Sequence, residues 1–358
     1  MRLAIHHSEG SFSDRWEAYC DNHQIPYERV NCLATDIIQK LAFVDGLLWH
    51  WNHQDPRAQL AARHILMAAE TMGIGVFPST ATGWHFDDKT AQKYLLEAVS
   101  APLVPTYVFF ELKEALRWID AASFPKVFKL RRGAGSGNVR LARTRDEARV
   151  LAKRAFSSGF RPVPPLWTDS RTRYRAIRRR RDIFGVIRRL PESLSTIRRL
   201  NNMIGREIGY VYFQDFIPDN RFDTRVTVIG HRGFAYIRKV RPGDFRASGS
   251  GNIDYDPEKI NRQCVETAFD VARKIGSQSM AFDFVLTPDN RPMIVEVSYC
   301  YVAAFIHNCV GHWDDQLNWH PGQVWPEEAI LMDLLQTISQ GRSHRAMGSH
   351  MPNGCQSV

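Results

Sequence analysis

The sequence predicts a mixed α/β and α+β chain, with a small N-terminal domain on a parallel sheet followed by two α+β subdomains. Three observations predict it. Over the first 85 residues, short apolar runs alternate with helix-like stretches, the rhythm of parallel βαβ units. At residue 86 that rhythm breaks, and helices and strands intermix around a glycine-rich loop. From residue 209 the chain turns strongly β, with GYVYFQDFI, FDTRVTVIG and GFAYIRKV in close succession. At 358 residues, 44% hydrophobic and 24% charged, the chain has the make-up of two or three soluble domains.

In the first domain (1–85), RLAIH, YERVNC, GLLWHW and GVFPS are the expected strands. Helices are expected around DRWEAYCDNHQ, ATDIIQKLAF and PRAQLAARHILMAAETMG. No GxGxxG accompanies them, so a dinucleotide site is not indicated. The next unit (86–212) opens with FDDKTAQKYLLEAVS, a helix capped by Asp87 or Asp88. Strand TYVFF, helix ELKEALRWIDAA and strands KVFKL and NVRLAR follow, the last two flanking the glycine loop. Thr144 and Glu147 stand at capping-box spacing before the helix RDEARVLAKRAFSSG. An arginine-rich insertion (about 161–200) holds twelve arginines, no lysine and three acids within a chain of net charge +9. Such a run is a solvated face or a polyanion patch.

In the third unit (213–341) a His-Arg-Gly turn (231–233) joins two of the strands. A helix over about 258–275 stops at Gly276, and a last helix starts near Pro326 and ends before Gly341. The tail 342–358, containing GSHM, is set aside as disordered. Six scattered cysteines with no CxxC pair indicate reduced thiols in a cytoplasmic protein. No apolar run approaches the ~18 residues of a membrane span, and the N-terminus lacks the apolar core of a signal peptide.

The hairpin AFDFVLTPDNRPMIVEVS (281–298) raises an electrostatic question. With a turn centred between Asp289 and Asn290, Asp283 faces Glu296 and Val285 faces Ile294. One face then carries Phe282, Phe284, Leu286, Met293, Val295 and Val297; the other carries Ala281, Asp283, Val285, Ile294, Glu296 and Ser298. Two carboxylates ~5 Å apart at an effective dielectric of ~20 repel by about 3 kcal/mol. A shared proton, a lysine or arginine, or a divalent cation would offset that. An outer face with both acids in water is the bland reading.

Two further features bear on chemistry. KLRRGAGSGNVR sets Gly133, Gly135 and Gly137 between two strands, where backbone amides can approach an anion closely. It is not a Walker A loop, because Gly-Lys-Ser/Thr at a helix start is missing. Lys129 lies on the strand that enters this loop.

Taken in order, the lysine strand, glycine loop, QDFI strand, arginine loop and paired carboxylates resemble the ATP-grasp superfamily over about residues 86–300. The branch that looks most similar is that of the ribosomal-protein glutamate ligases; D-alanine–D-alanine ligase is a more distant cousin. The resemblance implies that Lys89 and Lys129 bind nucleotide phosphates, with GAGSGNV closing over the triphosphate. It implies that Gln214, Asp215, Phe216 and Ile217 hold the adenine and that Asp223 holds the ribose. Arg246 would contact the transferred phosphate, with Arg238 near the substrate. Asp283, Glu296 and Ser298 match the metal-binding Asp-Glu-Asn set; serine replaces the usual asparagine there, and Ser248 likewise follows Arg246.

The implied cofactors are ATP and two magnesium ions, with manganese as a substitute; oxygen donors suit these hard cations. A carboxylate would attack the γ-phosphate, and an amine would displace phosphate from the acyl phosphate. Arg238, Arg241 or Arg225 would clamp a substrate carboxylate. His50 and Asn52, at the end of a parallel strand, are further substrate candidates. The segment 299–322 mixes Tyr, His, Asn, Trp and Cys and would line the acceptor pocket; its histidine spacing matches no metal motif. Partners are then a small acid and a small amine (an amino acid, peptide or sugar acid), with no membrane and no nucleic acid; self-association stays open. Two other readings stand beside the ligase: an ATP-grasp kinase that stops at phosphorylation, and a nucleic-acid binder built on the arginine run. For the last, only Trp167, Tyr174 and Phe184 offer stacking groups.

Overall fold

Three sheets carry the described residues. The computed structural model describes residues 1–53, 55–133, 138–162, 205–241 and 251–348. The first sheet is parallel, in the order β2-β1-β3-β4, from β1 (Leu3–His6), β2 (Tyr27–Val30), β3 (Gly46–Leu48) and β4 (Gly75–Phe77). Its crossovers contain α1 (Ser13–Asn22), α2 (Ile37–Leu41) and α3 (Pro56–Thr71). The side chain of Asp55 caps α3 by accepting from Arg57 N, and Pro56 takes the first helical position, where no amide is needed.

A short α4 (Thr80–Gly83) leads to α5 (Lys89–Ala98). Asp88 is the cap of α5, accepting from Thr90 N and Ala91 N. The second sheet is antiparallel, in the order β5-β8-β6-β7, from β5 (Thr106–Phe109), β6 (Lys126–Lys129), β7 (Val139–Ala142) and β8 (Val211–Asp215). Helices α6 (Leu112–Ala121) and α7 (Arg145–Phe156) cover it, burying Ala115, Ile119, Ala148 and Ala152 with Phe128 and Phe213. Thr144 accepts from Glu147 N at 3.2 Å and Glu147 reaches back to Arg143 N at 2.8 Å, a capping box displaced by one residue. Residues 213–215 belong to β8, so the expected boundary at 212/213 falls inside a strand of this middle sheet.

The third sheet runs β13-β12-β9-β10-β14-β15, with β11 (Ile253–Asp254) also pairing β10. Its strands are β9 (Phe222–Ile229), β10 (Arg232–Lys239), β12 (Ser279–Leu286), β13 (Pro292–Ser298), β14 (Gly311–Trp313) and β15 (Trp319–Pro321). One face packs on α8 (Arg262–Ile275), joining Val265, Ala268 and Phe269 to Val226, Val228, Phe282 and Phe284. Gly276 ends α8 with φ 72°, a left-handed cap that a side chain would strain. On the other face Tyr236, Ala281 and Tyr299 join the core of the N-terminal domain.

Three expectations need correction. The His-Arg-Gly turn is instead Gly230–His231, because Ile229 already pairs with Arg232. The last helix, α10 (Pro326–Gly348), passes Gly341 and returns to the N-terminal sheet. Its Ile330, Leu331, Leu334 and Ile338 complete the core there; a Cβ on Gly75 would stand 2.6 Å from Ile338, so the close approach requires a glycine. In the hairpin, Asp283 faces Glu296, but a bulge follows and Val285 pairs with Met293 rather than Ile294. The bulge turns Ile294 into the α8 core beside Phe284. It also presents the backbone of Ile294 to residues 102–104: Ile294 N donates to Pro102 O at 2.7 Å and Val104 N to Ile294 O at 2.9 Å.

Candidate active site

The site grows from one row across the third sheet. Tyr236, Arg225, Asp283 and Glu296 are successive cross-strand partners on β10, β9, β12 and β13. Alternation puts Asp223 and Arg238, themselves partners, on the same face. The predicted repulsion between Asp283 and Glu296 is offset by separate cations. Arg225 Nε and Nη2 donate to the two oxygens of Asp283 at 2.6 and 2.7 Å, and Arg238 Nη2 approaches at 2.8 Å. Burial alone would raise the Asp283 carboxyl, but the two arginines outweigh it and hold it well below the usual carboxylate range. Arg238 also donates to both oxygens of Asp223 at 2.6 Å. Glu296 pairs with Lys89 at 3.1 Å.

Lys89 comes from the first turn of α5 and ties this row to the glycine loop. Its Nζ donates to Gly133 O at 2.8 Å, while Gly133 N donates to Asp87 at 2.8 Å. Burial lowers the Lys89 pKa, but Glu296 and Asp87 more than compensate and it ends raised. Lys129, equally buried, behaves oppositely. Burial and the charge of Lys89 outweigh Glu296 and push it down to about 8. Lys129 Nζ donates to Gln214 Oε1 at 2.6 Å, and Gln214 Nε2 donates to Thr106 Oγ1 at 3.0 Å.

The mouth of the glycine loop is fastened from below. Arg131 N donates to the Tyr210 hydroxyl at 2.6 Å, which donates to Glu207 at 2.9 Å. Arg131 pairs with Asp88 at 3.1 Å and with Glu207 at 3.5 Å.

Of the residues singled out from the sequence, Lys89, Lys129, Gly133, Asp223, Arg225, Arg238, Asp283 and Glu296 converge here. Gln214 lies in the same cluster, but its side chain is engaged with Lys129. Asp215 pairs with Lys126 at 2.6 Å; Phe216, Ile217 and Arg241 are half-buried beside it or beyond β10. Ser298 is bound to its own turn, donating to Cys300 O at 2.9 Å and accepting from Cys300 N at 3.1 Å. His50 is a core residue, bonded to Ser11 at 2.6 Å and stacked on Phe12 at 3.8 Å; Asn52 is half-buried nearby. Gly135, Gly137, Arg246, Ser248 and the bulk of the arginine-rich segment (163–204) lie outside the described residues. The segment 299–322 forms α9 (Ala303–His307), β14 and β15; His312 and His320 lie 5.3 Å apart, with His320 on Asp314. Lys126, Glu207 and Tyr210 carried no signal in the sequence, since their partners lie far along the chain.

Among solved structures, the RimK domain protein of ATP-grasp type from Sphaerobacter thermophilus matches over 93% of this chain and 99% of its own, with a TM-score of 0.51 and 17% identity. The chain has the ATP-grasp fold. D-alanine–D-alanine ligase from Bacillus anthracis shares this fold at TM-score 0.55 and 12% identity, over 96% and 99% of the two chains. The biotin carboxylase domain of the Hydrogenobacter thermophilus 2-oxoglutarate carboxylase matches at TM-score 0.56 and 13% identity, over 92% of this chain and 68% of that one. Neither a protein-family model nor a curated protein matches the chain by sequence.

Within this ATP-grasp frame, Asp283 and Glu296 present hard oxygen donors side by side, with the Ser298 hydroxyl two residues on. Among the described residues no three His, Cys, Asp or Glu side chains gather as a metal cage. The facing carboxylate oxygens are those of Asp283, which already accept from Arg225 and Arg238, and of Glu296, which pairs with Lys89. Among the described residues no helix is long and apolar enough to cross a membrane.

Proposed function

We propose that this chain is an ATP-dependent carboxylate–amine ligase that forms an amide or peptide bond through an acyl phosphate. One observation carries the reading: Lys89 and Lys129 converge on Glu296 beside the glycine-loop mouth, and Glu296 faces Asp283 across the hairpin. Phosphoryl transfer needs charge neutralisation and in-line positioning more than covalent help, and the paired lysines favour the first of these. Lys89 and Lys129 would neutralise phosphate oxygens. Asp283 and Glu296, with Ser298, would hold magnesium, which supplies Lewis-acid neutralisation of the phosphates when bound. Arg225 and Arg238 would orient the acid substrate; Arg238 would meet it through Nη1, since Nε and Nη2 serve Asp223 and Asp283. The carboxylate oxygen attacks the γ-phosphorus and ADP leaves. The amine then attacks the acyl carbon, phosphate leaves, the amine gives up a proton, and the amide remains. D-alanine–D-alanine ligase and D-cycloserine synthetase, by their names, support a ligase over other uses of the fold.

A screen of acid and amine pairs with magnesium and ATP, following ADP and product together, tests this. A ligase releases ADP with an amide only when both partners are present. ADP with a phosphorylated product and no amine requirement would establish the kinase reading instead. No ADP from any pair, with no nucleotide binding, would refute both.

A further inference from the structure

A second group of polar side chains lies where the N-terminal domain meets the residues that lead into Lys89. Trp51 follows β3, Gln59 and Arg63 lie one turn apart on α3, and His85 stands between α4 and α5. They line one seam. The Arg63 guanidinium carbon is 5.7 Å from the Trp51 ring centroid, and Arg63 Nη2 donates to Phe86 O at 2.8 Å. Trp51 packs edge-on against Phe86 at 4.9 Å, with the ring of His53 6.4 Å from Phe86.

Within this seam Trp51 Nε1, His53 Nε2, Gln59 Nε2, Arg63 Nε and both ring nitrogens of His85 are buried with no hydrogen-bond partner among the described residues. Folded proteins pair nearly all such groups, so a concentration of unpaired ones asks for a ligand. The chemistry of that ligand follows from the inventory. Indole and guanidinium nitrogens donate only, so the group facing them must accept. Arg63 also carries charge that its surroundings do not fully compensate: burial lowers its pKa, Arg131 and Arg132 add to the effect, and Asp87 and Asp88 offset only part. Burial pushes His85 down to about 4, so its neutral ring presents one donor and one acceptor. The seam is also continuous with the nucleotide side. Asp87, Asp88 and Lys89 follow Phe86 directly, and the Tyr299 hydroxyl, next to Ser298, donates to Trp51 O.

We propose that this seam is the receiving site for a compact free carboxylic acid, its carboxylate held by Arg63 Nε and Trp51 Nε1 and the rest of the molecule read by His53, Gln59 and His85. Arg225 and Arg238 serve the carboxylate that attacks phosphorus, so an acid held here by its carboxylate would be the amine-bearing partner; that role rests on the ligase reading, its binding does not.

The test is a calorimetric titration of the full chain, without nucleotide, against acetate, the common amino acids and their carboxamides. At least one acid should saturate, and its carboxamide should bind at least tenfold more weakly. Arg63→Ala should weaken the acid at least tenfold, Arg63→Lys less, and Trp51→Phe several-fold, while binding of a non-hydrolysable ATP analogue with magnesium stays within threefold. If Arg63→Ala does not fold, Trp51→Phe decides. No acid binding, equal binding of acid and carboxamide, or unchanged affinity in the variants would overturn the proposal and make the seam a hydrated packing joint. If wild type fails to bind the ATP analogue, the ligase reading falls while the acid titration still decides this site.

Discussion

Asp283 and Glu296 face each other, yet their charges should matter to stability very differently. Asp283 is 8% exposed and receives three short bonds from Arg225 and Arg238. Asp283→Asn leaves two buried guanidinium groups sharing Asp223 alone. Removing one partner of a buried pair costs ~3–5 kcal/mol, chiefly the cost of the stranded charge. Glu296 has a side chain 33% exposed, with Lys89 at 3.1 Å and the charge of Lys129 also felt there. Its loss leaves Lys89 bonded to Gly133 O and near Asp87, so Glu296→Gln should cost only about 1 kcal/mol. Urea unfolding followed by circular dichroism and tryptophan fluorescence measures both. The double variant Asp283→Asn/Arg225→Met removes a donor along with its acceptor and should recover at least ~1.5 kcal/mol of the single loss, a coupling of the size that contacting residues show. Equal losses for the two acids, or strict additivity in the double variant, would refute the ion-pair account.

Two further predictions concern the phosphate side. Lys129 titrates near 8 in the folded chain against 10.5 for an ordinary lysine. Between those values the unfolded chain holds the extra proton, so stability should rise with pH from 8 to 10.5, by about 3 kcal/mol in all. Lys129→Met should remove that rise; identical wild-type and variant profiles would contradict it. Tyr210→Phe strands the Arg131 amide below the glycine loop and should cost ~1–3 kcal/mol of stability, and it should raise the KM for ATP more than it lowers kcat. A variant with wild-type stability and KM would show that the loop mouth is not fastened there.

Much of this geometry was legible in the sequence because it is local. The cap at Asp88, the Thr144–Glu147 box, the stop at Gly276 and the turn that brings Asp283 opposite Glu296 depend on neighbours a few residues away. The bulge after Asp283 was not legible, since it answers to residues 102–104, which reach the edge of β13 from another part of the fold. Nor was the placement of Arg225 against Asp283, 58 residues apart, because β9 and β12 are not consecutive. Arg63 gave no sign either. It sits beside Ala62 on a helix whose buried face is alanine-rich, and only the packing of α3 against Trp51 and Phe86 encloses it. Alternation alone placed Ile294 with the carboxylates; the bulge moved it to the core while leaving Glu296 on the site face.

The claim that Asp283 and Glu296 form a magnesium–nucleotide platform meets its most direct test in single-turnover ADP formation by Glu296→Gln, with magnesium, ATP and an acid–amine pair that wild type turns over. The account predicts a correctly folded variant with ADP formation abolished. Near-normal ADP formation by that folded variant would contradict it.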